Sequence, residues 1–168
     1  ASMIGRVPFI LEVNEQMPKT FGANRVHRQD VLGWCEADYP LVEVPPSVPS
    51  ETDRRIAELV ADRVADGSTL QLGIGSVPSQ VAQLLVDRRD LAIHTELFSD
   101  SLVDLMESGA ASGIDKRRYR GRAVTTFALG SKRLYDFLDD NDSVMFLAVD
   151  EVNDPRLIGR EPKFVSVN

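Results

Sequence analysis

Leu70-Gln-Leu-Gly-Ile-Gly-Ser-Val-Pro78 and, a short amphipathic stretch later, Leu91-Ala-Ile-His-Thr-Glu96 decide the fold of this chain. The first reads as a strand, Leu70–Ile74, running into a glycine turn. The second reads as a strand, Leu91–Leu97, that brings a carboxylate to its end. Between them Val77, Val81, Leu84 and Leu85 fall at helical spacing, so the unit is strand, helix, strand. Such a crossover makes the two strands parallel neighbours, which release their loops at the same edge of the sheet. The Gly73/Gly75 turn and Glu96 are therefore expected side by side at the edge where open α/β sheets bind ligands.

The same alternation continues outward. Ser50 or Thr52 is expected to cap a helix with Asp53 in its first turn, Ile56, Leu59, Val60 and Val64 on its apolar stripe and Gly67 at its end. Downstream the pattern predicts a helix through Leu102, Val103, Leu105 and Met106 to Gly109, a strand over Ala123–Leu129 and a helix over Ser131–Asn141. A strand over Val144–Val149, a short helix over Asn153–Ile158 and a last strand over Lys163–Val167 follow. Upstream, Val7–Val13 suits a strand, Met17–Gly22 a loop, and residues 25–37 short strands. Leu41–Ser50, with Pro45, Pro46 and Pro49, cannot supply a regular ladder of N–H donors and reads as an extended connector. The expected class is α/β: an open, mostly parallel sheet with alternating helices, preceded by a small β-rich segment. Ala-Ser-Met ahead of Ile4 reads as a cloning remnant, and a chain that starts and stops in strands reads as a piece of something longer.

A length of 168 residues suits one ordinary domain or two small lobes, and 43% apolar residues is normal for a globular protein. A net charge of −7 argues against general nucleic-acid binding, which needs a basic face. The single cysteine, Cys35, allows no internal disulfide, and no Cys/His spacing suits zinc, so no metal is expected. No stretch is long and apolar enough for a membrane span, and no signal-peptide layout is present, which makes the cytoplasm the expected location.

Four features can carry chemistry. Gly73-Ile-Gly75 follows a strand and opens a helix, where backbone N–H groups and the helix dipole suit a phosphate, a carboxylate or an oxyanion. Pro78 stands where the dinucleotide fingerprint has its third glycine, which weakens a nucleotide-dependent dehydrogenase reading. The same turn also serves as a plain tight connection. Glu96 sits at a strand end and shares a face with His94; ionised near neutral pH, it suits a base or a nucleophile, or else a capping or surface charge. Gln71 shares a face with Gly73, and its uncharged amide can orient a carboxylate or simply meet solvent. Lys116, Arg117, Arg118, Arg120 and Arg122 form a basic run, read as a solvated loop before a phosphate clamp. Trp34 and Cys35 are expected to pack, and His27 has no identifiable partner.

Taken together, these segments resemble the acetyl-CoA hydrolase/transferase family, in particular its 4-hydroxybutyrate and butyrate-type CoA-transferases. The matching stretches are Glu12–Gly22, Leu70–Pro78, Ile93–Asp100, Phe127–Phe137, Val149–Arg156 and Phe164–Asn168, in order along nearly the whole chain. The resemblance implies that residues 1–49 end an N-terminal CoA-transferase domain and its Pro-rich connector. It implies that residues 50–168 begin a second α/β domain carrying the catalytic glutamate, the chain being a middle segment of a longer protein. It implies Glu96 as the nucleophile and Gln71, Gly73 and Gly75 as the lining of the substrate and oxyanion pocket. The implied reaction moves CoA between short-chain acids through a glutamyl-CoA thioester, with CoA and acyl-CoA as substrates, no permanently bound cofactor and a homo-oligomeric full-length form. An acyl-CoA hydrolase and a truncated, non-catalytic CoA-binding fragment are the alternatives. Ser101 stands where family members usually have glycine.

Overall fold

Apolar residues concentrated on short central strands set the layout. The computed structural model describes Met3 and residues 6–45 and 47–168; the first two residues, Ile4 and Pro46 of the readings above lie outside the described residues. Strand β4 (Thr69–Leu72) carries the fully buried Leu70 and Leu72. It lies between β10 (Val165–Val167) and β5 (Ala92–Ile93), parallel to both, with Leu70 opposite Val165 and Ile93. A second parallel group has β9 (Val144–Phe146) between β2 (Phe21–Gly22) and β7 (Ala123–Thr125). A parallel bridge between His94 and Val124 joins the two groups into one surface. Beyond it, β6 (Leu97–Phe98) pairs in parallel with β8 (Phe127–Ala128). The upstream strands β1 (Ile10–Asn14) and β3 (Gly33–Ala37) form their own parallel pair. This is the α/β class expected, with parallel strands and helices alternating along the chain.

Helices α1 (Glu51–Ala61), α2 (Ser76–Leu84), α3 (Asp100–Glu107) and α4 (Lys132–Leu138) pack in sequence, each against the next. They close the core around Leu70, Leu72, Val81, Leu85, Phe98 and Leu102. Ser50 caps α1 reciprocally: its hydroxyl accepts from the Asp53 N–H at 3.2 Å, and the Asp53 carboxylate accepts from the Ser50 N–H at 2.8 Å. The short helix α6 (Pro155–Ile158) stands within the range expected for one, and a further helix, α5 (Val149–Val152), precedes it where none was expected.

The elements also differ from expectation elsewhere. Helix α1 stops at Ala61; Val64 is buried after the chain has left the helix, and Gly67 (φ +72°) turns the chain toward β4. The buried stripe of α2 is Pro78, Val81, Ala82 and then Leu85, which leaves Leu84 exposed. Trp34 and Cys35 do not pack: both are exposed on the narrow β1–β3 pair, where Trp34 carries the Arg28 guanidinium 4.2 Å from its ring centre. Met17–Gly22 is not all loop, because Phe21–Gly22 is the outermost strand of the second group.

Candidate active site

Two threonines build the site by breaking two strands at the same level. The expected strand Leu91–Leu97 divides into β5 and β6, and Ala123–Leu129 divides into β7 and β8. At the first break the buried Thr95 hydroxyl lies 3.1 Å from the Leu72 carbonyl and 3.0 Å from the Leu97 carbonyl. At the second, the buried Thr125 hydroxyl lies 3.0 Å from the Glu96 carbonyl and 3.1 Å from the Phe127 carbonyl. Each hydroxyl thus reaches a carbonyl two residues on in its own strand and one in the neighbour, competing with the regular ladder. The Glu96 carbonyl also accepts from both Thr126 N–H (3.0 Å) and Phe127 N–H (3.1 Å), so one residue faces two, as in a bulge. The kink turns the Glu96 side chain out of the sheet, where it is exposed. The Thr95–Leu72 contact also fixes the relation to the glycine turn, since Glu96 and Gly73 each follow directly on one of its partners.

One oxygen of the Glu96 carboxylate accepts a hydrogen bond from the Asn153 side-chain amide at 2.8 Å. Asn153 ends α5, which is docked by the strand that carries Glu96: the His94 ring, almost fully buried, has Nε2 2.8 Å from the Val152 carbonyl. Burial holds the His94 pKa below its usual 6.5, so the ring is neutral and Nε2 carries the proton that it donates. Asn153 was not singled out by the sequence. Its segment, Val149–Arg156, was among the matching stretches, and that was the available signal.

The predicted site residues on the turn are arranged differently. Gln71 makes no hydrogen bond to Glu96. Its amide donates to Asn168 Oδ1 at 3.1 Å and its carbonyl oxygen accepts from the Ser166 hydroxyl, both on the far side of β4. At Gly73 a Cβ would meet the Asn168 side chain, with Oδ1 2.6 Å away, and the Asn168 Cα at 3.3 Å; the Gly73 N–H donates to the Val167 carbonyl at 2.8 Å. Gly75 adopts φ +135° as the N-cap of α2. In the first turn of α2 the Ser76 and Val77 N–H groups have no partner within the helix, and Pro78 has no N–H to give.

Two concavities lie nearby, and Glu96 lines neither. One, open to solvent, is lined by Val149, Asp150, Asn153 and Pro155. The other, of about 480 Å³, runs under the Thr126–Leu129 segment toward Met17, Leu41 and Tyr135, and its lining is mostly apolar. The basic run is a loop with Arg117, Arg118 and Arg120 exposed, as expected, but Lys116 departs from that reading. Lys116 is buried, its ammonium donating to the Ile93 carbonyl at 2.9 Å, and burial lowers its pKa to about 8. Arg118 pairs with Glu151 at 2.6 Å and Arg122 with Asp142 at 3.0 Å. The loop folds back over the sheet, which a count of charges does not reveal. Among the described residues no helix is long and apolar enough to cross a membrane, and no three His, Cys, Asp or Glu side chains gather as a metal site.

Comparison with known proteins finds relatives for almost the whole chain. Residues 130–168 match the acetyl-CoA hydrolase/transferase C-terminal domain. The chain is 42% identical over 161 residues to succinyl-CoA:cyclohexane-1-carboxylate CoA transferase of Geobacter metallireducens, covering 95% of this chain and 36% of that protein. It is 38% identical over 159 residues to 4-hydroxybutyrate coenzyme A transferase of Clostridium kluyveri, covering 95% and 37%. Among solved structures, 4-hydroxybutyrate CoA-transferase from Porphyromonas gingivalis superposes with a TM-score of 0.89 at 38% identity, covering 95% of this chain and 41% of that one. RipA from Yersinia pestis superposes with a TM-score of 0.90 at 40% identity, covering 96% and 37%. The chain thus spans little more than a third of the length of the curated relatives it matches. Over nearly all its residues it is a partial-length homologue of named CoA transferases, and over residues 130–168 it matches the acetyl-CoA hydrolase/transferase C-terminal domain.

Proposed function

We propose that this chain carries the nucleophile of an acyl-CoA:carboxylate CoA-transferase that moves CoA between short-chain acids such as 4-hydroxybutyrate, butyrate and acetate. One observation supports this above the others. Glu96 is presented by a strand break at the ligand-binding edge of a parallel sheet, one oxygen held by Asn153 and the other without a hydrogen-bond partner among the described residues. A carboxylate is a weak nucleophile, so its rate depends on placement, and a neutral amide donor fixes the group without quenching its charge.

The free oxygen of Glu96 attacks the thioester carbonyl carbon. The C–S bond breaks and the thiolate leaves with the electron pair, giving a mixed anhydride. The thiolate then attacks the glutamyl carbonyl and the anhydride C–O bond breaks. The first acid leaves as its carboxylate and CoA is held on Glu96 as a thioester. A second carboxylate runs these steps in reverse. Each addition places negative charge on a carbonyl oxygen, for which the Ser76 and Val77 N–H groups at the start of α2 are the donors on hand. The Gly73 N–H, engaged by Val167, is not one of them. CoA enters and leaves as a substrate, and no resident cofactor takes part.

The exposure of Glu96 favours a second reading, hydrolysis, because water has access to a glutamyl thioester at this site. Both are tested by incubating the folded chain with acetyl-CoA and mapping the intact mass to peptides. A CoA adduct on Glu96 is the expected result, and its absence would overturn the covalent reading. Adding butyrate then separates the two: butyryl-CoA formation marks a transferase, and release of CoA without an acceptor marks a hydrolase.

A further inference from the structure

The strand that carries Glu96 grips α5 at two consecutive residues. Glu96 takes the Asn153 amide at 2.8 Å, and His94, two residues earlier on the same face, takes the Val152 carbonyl at 2.8 Å. That carbonyl closes the last turn of α5, where no intrahelical donor follows, and no backbone N–H reaches it among the described residues. Val152 is fully buried, and the space beside the ring, bounded by Arg118, Tyr119, Glu151 and Glu161, is about 10 Å³, room for no more than a single water. Val152 C=O and the Asn153 N and Cα belong to one peptide plane, so fixing the carbonyl also fixes the Cα from which the Asn153 side chain departs.

We propose that His94 is a positioning residue: by holding the Val152 carbonyl it sets the Asn153 amide against the Glu96 carboxylate. The inference rests on Glu96 as the reacting group for its catalytic consequence, but the contact itself stands apart from that reading. Glu151, bonded to Arg118 at 2.6 Å and to the Tyr119 hydroxyl at 3.1 Å, anchors the middle of α5 independently. Losing His94 therefore frees the end of the helix and leaves its body in place.

The test uses His94→Leu, which removes the donor, and His94→Gln, whose amide can restore it. The Asn153 side-chain amide resonances in the ¹⁵N-labelled chain report the contact, and the rate of CoA-adduct formation with acetyl-CoA reports its consequence. His94→Leu is expected to shift the Asn153 amide signals and slow adduct formation about tenfold, and His94→Gln to bring both back to within about threefold of wild type. Unmoved Asn153 signals in His94→Leu, or a His94→Gln variant no better than His94→Leu, would overturn the proposal. If His94→Leu does not fold, the wild-type ring decides: an Nε2–H tautomer supports the clamp and an Nδ1–H tautomer rejects it. A wild-type chain that forms no adduct counts against the Glu96 reading, while the resonances still judge His94.

Discussion

A carboxylate at a strand end is an ordinary residue until something holds it, and here the holding group is Asn153. Replacing Glu96 with Gln keeps the shape and removes the nucleophile, so CoA transfer should fall by at least about 10³-fold with folding intact. Transfer rate and thermal midpoint together check this; near-normal transfer by the variant would exclude Glu96 as the attacking group. Asn153→Ala removes one neutral hydrogen bond and should lower kcat about tenfold with little change in KM, because it affects orientation more than substrate binding. Asn153→Asp should be worse, since it sets a second negative charge at the carboxylate, and a pH profile that restores Asn153→Asp activity on acidification would bear this out. The place of Glu96 beside the ends of neighbouring parallel strands was legible in the sequence because the strand-end rule needs only local pattern. Asn153 was not, because its role depends on where a helix 57 residues later docks. The partner of Gln71 was hidden for the same reason: sharing a face with Gly73 placed it near the turn, but its amide donates to Asn168, 97 residues later.

At the scale of elements, order and type were readable and the ends were not. Hydrophobic spacing located α2, α3 and α4, and the Ser50–Asp53 cap of α1 was visible as residues. The breaks after β5 and β7 were hidden, because a buried threonine diverts a strand only when a neighbouring carbonyl is placed to receive it. Those breaks make a stability prediction possible. Thr95→Val keeps the volume and deletes the hydroxyl bridging Leu72 and Leu97, at a cost of about 1 kcal/mol, and should let the Glu96 backbone relax toward a regular ladder. Urea unfolding measures the first effect and hydrogen exchange at Thr126 and Phe127 the second; unchanged exchange would show that the hydroxyl does not shape the kink. Gly75→Ala tests the turn itself. A Cβ has room there, its nearest neighbour being Pro78 Cδ at 3.8 Å, so the whole cost, about 1–3 kcal/mol, must come from φ +135°.

Across the whole molecule, the parallel topology followed from the alternation of strand and helix, and the family resemblance followed from motifs spread along the chain. What neither disclosed was the burial of charge beneath the site. Lys116 and His94 are buried near Glu161, with Arg118 also near His94, and burial disfavours the charged form of both. This fixes the sign of the pH dependence. Below about pH 6.5 the unfolded chain protonates His94 while the folded chain resists, so stability falls as pH drops from 7 to 5. Between about pH 8 and 10.5 the folded chain gives up the Lys116 proton while the unfolded chain keeps it, so stability rises with pH in that window, by up to roughly 3 kcal/mol. Tyr39 and Tyr119, both with raised pKa, hold their protons over the lower part of this window and do not mask the rise there. Urea midpoints at pH 5, 7, 8 and 10 would trace both arms. The Lys116→Met variant should lose the alkaline rise and His94→Gln the acid fall. A wild-type midpoint that is flat from pH 8 to 10 would mean that the ammonium finds water in solution, and that the loop from Lys116 to Arg122 does not stay closed over the strand bearing His94 and Glu96.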